Sequence, residues 1–141
     1  MALRVKLRIR GSRNSITASA LVNTGFEAEE PQLVIPIKLA EALSLMNLQA
    51  SIEDLSVAGG GRISGYRLEE CINVELILED REPVRAEAVA TILPGEEEVI
   101  ISDNLASNLG IVILDPRKGL WCLRDELNRR ERATASCEKW V

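Results

Sequence analysis

The chain has 141 residues, 46% apolar and 28% charged, with 22 acidic side chains against 17 basic ones and a formal net charge of −5. That length suits one domain around one core, and that apolar share excludes long-range disorder. An acidic balance with only 3% aromatic residues argues against a nucleic-acid module, which needs a basic footprint and stacking side chains.

The chain opens on Val5, Leu7 and Ile9 alternating with Lys6, Arg8 and Arg10, a period of two with one polar face. Gly11-Ser12-Arg13-Asn14 is a turn signal and Ile16 to Val22 a second strand, so a hairpin is expected. Met1 to Arg10 holds no uninterrupted apolar stretch and is not expected to be a signal peptide. No run approaches the roughly 18 apolar residues of a membrane span, and no membrane partner is expected. Asn23-Thr24-Gly25 breaks the second strand, and an acidic loop follows with Glu27, Glu29, Glu30 and Pro31. Leu33-Val34-Ile35 reads as a short buried strand. Pro36 then suits the first turn of a helix striped by Ile37, Leu39, Ala40 and Leu43, ending near Ser44-Leu45.

Leu55 to Ala58 and Arg62 to Tyr66 are strand-like runs flanking Gly59, Gly60 and Gly61, which predicts a mobile hairpin tip. Cys71 to Leu78 alternates, with Ile72, Val74, Leu76 and Leu78 on one face. Glu79 to Pro83 is a turn, Val84 to Leu93 a further strand, and Pro94-Gly95 with Glu96 to Glu98 an exposed loop. Val99-Ile100-Ile101 is a buried strand, and Asn104 to Leu109 a short helix closed by Gly110. Ile111 to Leu114 and Leu120 to Leu123 are strands around the turn Asp115 to Gly119. The polar segment Arg124 to Val141 is expected to be a short frayed helix or a loose tail. Turns every ~8–12 residues between short strands predict an all-β fold with two short helices, a small closed β-barrel over residues 1–123, with 124–141 as the tail. One similarity is internal: a strand, a polar turn and a helix occur from Ala20 to Leu45 and again from Val99 to Ile111.

Several chemistries are absent. Without histidine, Ser-His-Asp and Cys-His catalysis and His-ligated zinc fall away together. Cys71, Cys122 and Cys137 are odd in number and widely spaced. They match neither a disulfide framework nor a metal site and read as reduced thiols of a cytoplasmic protein. No metal or other cofactor is expected.

Ala20-Leu21-Val22-Asn23-Thr24-Gly25 resembles the active-site strand of the retropepsin-like aspartic proteases, whose signature is two apolar residues followed by Asp-Thr/Ser-Gly. Leu33-Val34-Ile35-Pro36 with its helix resembles that family's next element, and the glycine-rich hairpin resembles its flap. Val99 to Ile101, Leu109-Gly110-Ile111 and Lys118-Gly119-Leu120 resemble its closing segment, so the similarity covers residues 4 to 123. The resemblance implies a barrel of the acid-protease type with one lobe per chain. It implies a homodimer with the site on the two-fold axis and an extended peptide or protein as substrate, held as an added strand. Asn23, Thr24 and Gly25 then occupy the catalytic turn, with Thr24 bonding across the dimer. Gly25, Phe26, Glu27, Gly59, Gly60, Gly61, Arg62, Ile63 and Ile101 line the substrate groove, and Val5–Ile9 and Leu120–Leu123 are the strands expected at the subunit interface.

Two departures bear on activity. Asn23 stands where the family has its catalytic Asp, and none of the aspartates is followed by Thr-Gly or Ser-Gly; Ser102 stands where the family usually has Gly. In the family two carboxylates ~3 Å apart share one proton, so that one activates water while the other donates to the peptide carbonyl. An amide can do neither, and losing a general acid–base group costs ~10²–10⁴ in rate. The expected function is therefore an aspartic endopeptidase scaffold, inactive as written. Asn23 is either an engineered inactivation or the residue of a natively silent peptide-binding or regulatory relative. Two further readings remain: Glu27 as a substitute carboxylate, and a ligand-binding β-barrel unrelated to proteases.

Overall fold

The computed structural model describes residues 2–56 and 60–141. The fold is all-β with two short helices and a closed barrel of six strands. Strands β1 (Arg4–Arg10) and β2 (Ser15–Val22) form the expected hairpin, in register from Arg4↔Leu21 to Arg10↔Ser15. Val5, Leu7 and Ile9 are fully enclosed, and the intervening cations point outward, because alternate side chains leave opposite faces of a strand. β3 (Gln32–Ile35) and helix α1 (Ile37–Ala42) follow, then β4 (Ala50–Ser56), β5 (Arg62–Leu68), β6 (Ile72–Leu76), β7 (Val84–Ile92) and β8 (Val99–Ile101). Helix α2 (Asp103–Asn108), β9 (Ile111–Asp115), β10 (Leu120–Leu123), a 3₁₀ turn (Arg124–Glu126) and β11 (Arg132–Ala133) complete the chain.

The barrel runs β1-β2-β8-β3-β7-β6 and returns to β1, with the closing contact made by β3 against β7. The β4–β5 hairpin branches from it where Tyr66 and Arg67 pair with Ile92 and Thr91. β4 starts at Ala50, earlier than the sequence suggests, because Ser51-Ile52-Glu53-Asp54 shows no buried face to read: Ile52 is 76% exposed. Val57, Ala58 and Gly59, the end of the expected strand and the first of the three glycines, lie outside the described residues. Among the described residues no helix is long and apolar enough to cross a membrane.

The internal similarity is more extensive than it reads in sequence. From β3 into α1 and from β8 into α2 the two halves match at a constant offset of 66 residues (101 − 35): Leu33/Val99, Ile35/Ile101, Leu39/Leu105, Ala40/Ala106, Leu43/Leu109 and Ser44/Gly110. Every apolar member of these pairs is buried. Both helices end on a left-handed residue, Ser44 at φ 56° and Gly110 at φ 78°, which turns the chain out of the helix and lets end carbonyls be capped. The preceding strands match as well, but through space. β2 runs parallel to β8 (Ala20↔Val99 to Val22↔Ile101) and β7 runs parallel to β3 (Ala90↔Leu33 to Ile92↔Ile35), while β3 and β8 are antiparallel to each other. That reciprocal pairing is an approximate two-fold axis inside one chain. It makes β7, not β8, the counterpart of β2.

Residues 124–141 are neither a frayed helix nor loose. Arg132, 9% exposed at its side chain, donates to Glu126 at 2.6 and 2.9 Å and to Asp80 at 2.8 Å, and lies over the Trp121 ring at 5.7 Å. Glu126 also accepts the Leu123 N–H at 2.9 Å and Arg81 at 3.2 Å. Beyond this knot the Ala135 N–H donates to the Arg4 carbonyl (2.8 Å) and the Trp140 N–H to that of Glu97 (2.7 Å). Glu138 accepts the Ser19 N–H at 3.0 Å. The segment reads as a tail because its anchors are charges with partners distant in sequence, and such pairs leave no periodic signature.

The strands expected at a subunit interface each have a strand on both sides among the described residues, β11 covering β10 at Leu120 and Trp121. β1 lies between β2 and β6, and β10 lies between β9 and β11. Among the described residues β9 has a partner strand on one side only.

The Arg132 knot holds the Glu126 carboxyl at about 2, well below the 4.5 of a free glutamate, chiefly through the Arg132 hydrogen bonds, with Leu123 N–H and Arg81 adding to them against the effect of burial. A carboxyl lowered in the folded state contributes stability that is complete above its unfolded value and is lost as pH falls toward its folded value. Urea unfolding should therefore show wild type losing its advantage over Glu126→Gln between pH 4.5 and about 2. Arg132→Met, which leaves Glu126 with only Arg81 and the Leu123 N–H, should lower stability at neutral pH by up to about 3 kcal/mol.

Candidate functional site

At the end of β2 the chain makes a tight turn over Asn23, Thr24 and Gly25. The Asn23 N–H donates to the Ile101 carbonyl (3.2 Å), continuing the parallel ladder between β2 and β8 by one rung. The Phe26 N–H donates back to the Asn23 carbonyl (3.1 Å), and the Asn23 side-chain Oδ1 accepts the Gly25 N–H at 3.0 Å. A short side chain that accepts a backbone N–H two residues on stabilises this kind of turn. Asn23, Thr24 and Gly25 are all exposed, so the turn is presented at the barrel surface.

The internal two-fold places a second turn opposite. The Leu93 N–H donates to the Ile35 carbonyl (3.1 Å) and the Glu96 N–H to the Leu93 carbonyl (3.3 Å). Leu93-Pro94-Gly95-Glu96 thus repeats the backbone hydrogen bonds of Asn23-Thr24-Gly25-Phe26, with a leucine where the first turn carries its amide and with Gly95, unlike Gly25, at positive φ (88°). One turn of the pair is polar and one is apolar, so a single chain supplies one polar turn to any site built on this plan.

The loop 23–31 is hung on the start of α2. Asp103 Oδ1 accepts the N–H groups of Ala28 (3.0 Å) and Asn104 (2.7 Å), the Asp103 N–H donates to the Phe26 carbonyl (3.0 Å), and the Asn104 amide donates to the Ala28 carbonyl (3.3 Å). Ser102, wholly buried, accepts the N–H groups of Leu105 and Gln32, each at 3.1 Å. It caps α2 and joins the helix to β3, which a glycine in its place cannot do with a side chain. Asp103 and Asn104 escaped the sequence reading as site-forming residues. The available signal was Ser-Asp-Asn directly ahead of an apolar helix stripe, a start-of-helix pattern, but nothing in it names the 23–31 loop as the partner.

Above this floor the β4–β5 hairpin is tied at its root. Arg67 donates to Glu30 of the loop and lies 3.9 Å from Glu53, and the Thr91 hydroxyl is 3.4 Å from Glu53. Gly65 meets the floor directly: a Cβ there would come within 2.7 Å of the Thr91 methyl and 3.2 Å of the Ile92 carbonyl and the Leu93 side chain. The absence of a side chain at 65 is what lets the hairpin lie so close.

The remaining expected site residues divide. Phe26 is half-buried and Glu27 exposed on the same loop as Asn23; Gly60 (φ 87°), Gly61, Arg62 and Ile63 lie where the chain enters β5, Arg62 exposed and Ile63 half-buried; Gly59 lies outside the described residues. Ile101 is the correction. Its side chain has no exposure and belongs to the core, so it supports the Asn23 turn from beneath through its carbonyl and does not line a groove in this chain. An apolar residue after two others in a buried strand carries no mark of which face it serves. Cys71, Cys122 and Cys137 are all free thiols; burial pushes the Cys122 thiol up, leaving it un-ionised and unreactive.

No protein-family model matches this chain, and a comparison with curated proteins finds no match.

Chemically, the turn offers a neutral amide whose oxygen is already engaged by Gly25. It can donate and accept hydrogen bonds but cannot take up or release a proton in turnover. Removing the anchor beneath it should loosen it: Asp103→Ala leaves the Ala28 and Asn104 N–H groups unpaired, costing about 1–2 kcal/mol. Hydrogen exchange should speed up at Ala28 and Phe26 while the β1–β2 amides keep their protection.

Proposed function

We propose that this chain is the protomer of a homodimeric scaffold of the retropepsin-like type that binds an extended peptide, with its aspartic endopeptidase chemistry disabled by Asn23. The observation that carries the reading is the duplicated strand–turn–strand–helix unit with an Asn-Thr-Gly turn exposed at one end of its approximate two-fold. Such a unit supplies a single polar turn, so a site needing two of them requires a second copy. The tethered β4–β5 hairpin beside the turn supports a groove in which a peptide can be held by backbone bonds.

Asp at position 23 would receive the same Gly25 N–H that Asn23 now receives, and a hydrogen bond to the charged form favours ionisation. Two such carboxylates facing each other cannot both ionise, which yields the proton-sharing pair that acid proteases need. As written, two amides face each other and peptide is bound without being cut. This places the chain with natively silent relatives if Asn23 is its natural residue, and with inactivated enzymes if it is not. Glu27 lies beyond the turn's closing hydrogen bond and is not the substitute carboxylate.

The partner copy would join through β9, whose outer edge lacks a strand among the described residues and which carries the 41%-exposed Leu114. Unpaired strand edges pair readily with a second chain.

Asn23→Asp should gain pepstatin-sensitive cleavage of a peptide mixture at acidic pH, at a rate at least about 10²–10⁴ above the parent. If the Asp form binds peptides but cuts none, the protease lineage fails and only the binding role stands. Leu114→Glu should shift the dimer toward monomer in sedimentation, weakening association about tenfold or more. A parent chain that stays monomeric at high concentration would overturn the shared-site reading altogether.

A further inference from the structure

The outer face of β1 carries four cations in succession, Arg4, Lys6, Arg8 and Arg10, on a protein with a net charge of −5. Cross-strand neighbours usually neutralise such a ladder. Here β2 sets Ser19, Thr17 and Ser15 opposite Lys6, Arg8 and Arg10, all neutral. On the other side, Glu75 is shared between Arg8 (3.4 Å) and Arg85 (3.1 Å), and Arg4 is taken by Glu98 at 2.7 Å. Lys6, Arg10 and the neighbouring Arg13 have no ion-pair partner among the described residues.

The face is also hollowed. Three concavities of 240, 360 and 430 Å³ open along it, the first walled by Arg4 and Lys6, the second by Arg8, Arg10 and Arg85, the third by Lys6, Thr17 and Ser19. The Ser19 hydroxyl beneath the third is buried without a hydrogen-bond partner. Of the acids at the rim, Asp80 is engaged by Arg130 and Arg132 and Glu138 accepts the Ser19 N–H, while Glu79 and Glu131 beside the first concavity have no ion-pair partner among the described residues, which leaves the Lys6-to-Arg10 end as the cationic stretch of the wall. Glu87, beside Asn73 across β6, marks the far border.

We infer that this face docks an acidic, extended polypeptide segment running along β1. Alternate residues of a strand are about 6.7 Å apart, so carboxylates on alternate residues of an extended partner meet Lys6, Arg8 and Arg10 in step. A polypeptide is favoured over single-stranded nucleic acid because this face offers no exposed aromatic ring on which bases could stack; Trp121, at its edge, is 5% exposed and covered by Arg132. The site lies on the outer wall of the barrel, and its occupancy does not depend on the Asn23 turn.

Fluorescence anisotropy of the full chain with a labelled peptide of alternating Glu and Thr tests this, with oligothymidylate of equal charge as the competing probe. Binding of the Glu peptide should fall about tenfold in Lys6→Glu/Arg10→Glu and stay unchanged in Lys118→Glu, a control in the β9–β10 turn. It should also weaken with added salt, since screening shortens to about 3 Å at 1 M. Lys6→Gln/Arg10→Gln serves if the reversal variant does not melt like the parent. No binding of the Glu peptide at low salt, equal loss in the control, or tighter binding of oligothymidylate would each overturn the inference.

Discussion

The structure depends on the exchange of parallel strands between its two halves. β2 borrows β8 and β7 borrows β3, so neither half completes its ladder without the other. Unpaired buried amides are costly, and β3 and β8 are short and almost wholly enclosed. The halves therefore close together, and their antiparallel contact at Leu33↔Ile101 and Val34↔Ile100 lies in the barrel wall between the two parallel pairs. The position of the Asn23 turn follows, because the rung from Asn23 N–H to Ile101 is the last bond of that exchange.

The same exchange separates what the two turns can do. Their backbones coincide in hydrogen bonding, yet one presents Asn-Thr-Gly with its loop clamped by Asp103 and the other presents Leu-Pro-Gly beneath the root of the β4–β5 hairpin. The first is held from below by α2 and from above by the Arg67–Glu30 pair. A turn fixed on both sides is preorganised for a partner, and preorganisation reduces the ordering cost of binding.

The C-terminal segment closes the molecule by other means. Where the barrel is held by aliphatic packing, residues 124–141 are held by Arg132, Glu126 and Asp80 and by isolated backbone bonds to Arg4 and Glu97. A buried pair of this kind contributes little against a well-packed apolar substitute, but removing one partner leaves an uncompensated charge. It fixes where the segment lies, and that course also bounds the basic wall of β1, where Glu138 covers the edge of β2 at Ser19.

By itself the sequence determined every feature written in short-range pattern: the alternation of β1 and β6, the helices after Pro36 and Ser102, the turn at Asn23-Thr24-Gly25 and the lack of a carboxylate there. Burial acts on single side chains, so a period of two or of three to four residues records it directly. Only the tertiary structure decided that β7 is the counterpart of β2, that Ile101 faces the core, that Asp103 and not a groove residue governs the 23–31 loop, and that the polar end is anchored. Those outcomes rest on pairings between residues some 40 to 130 positions apart, and a charge or an isoleucine looks the same in sequence whether its distant partner exists or not.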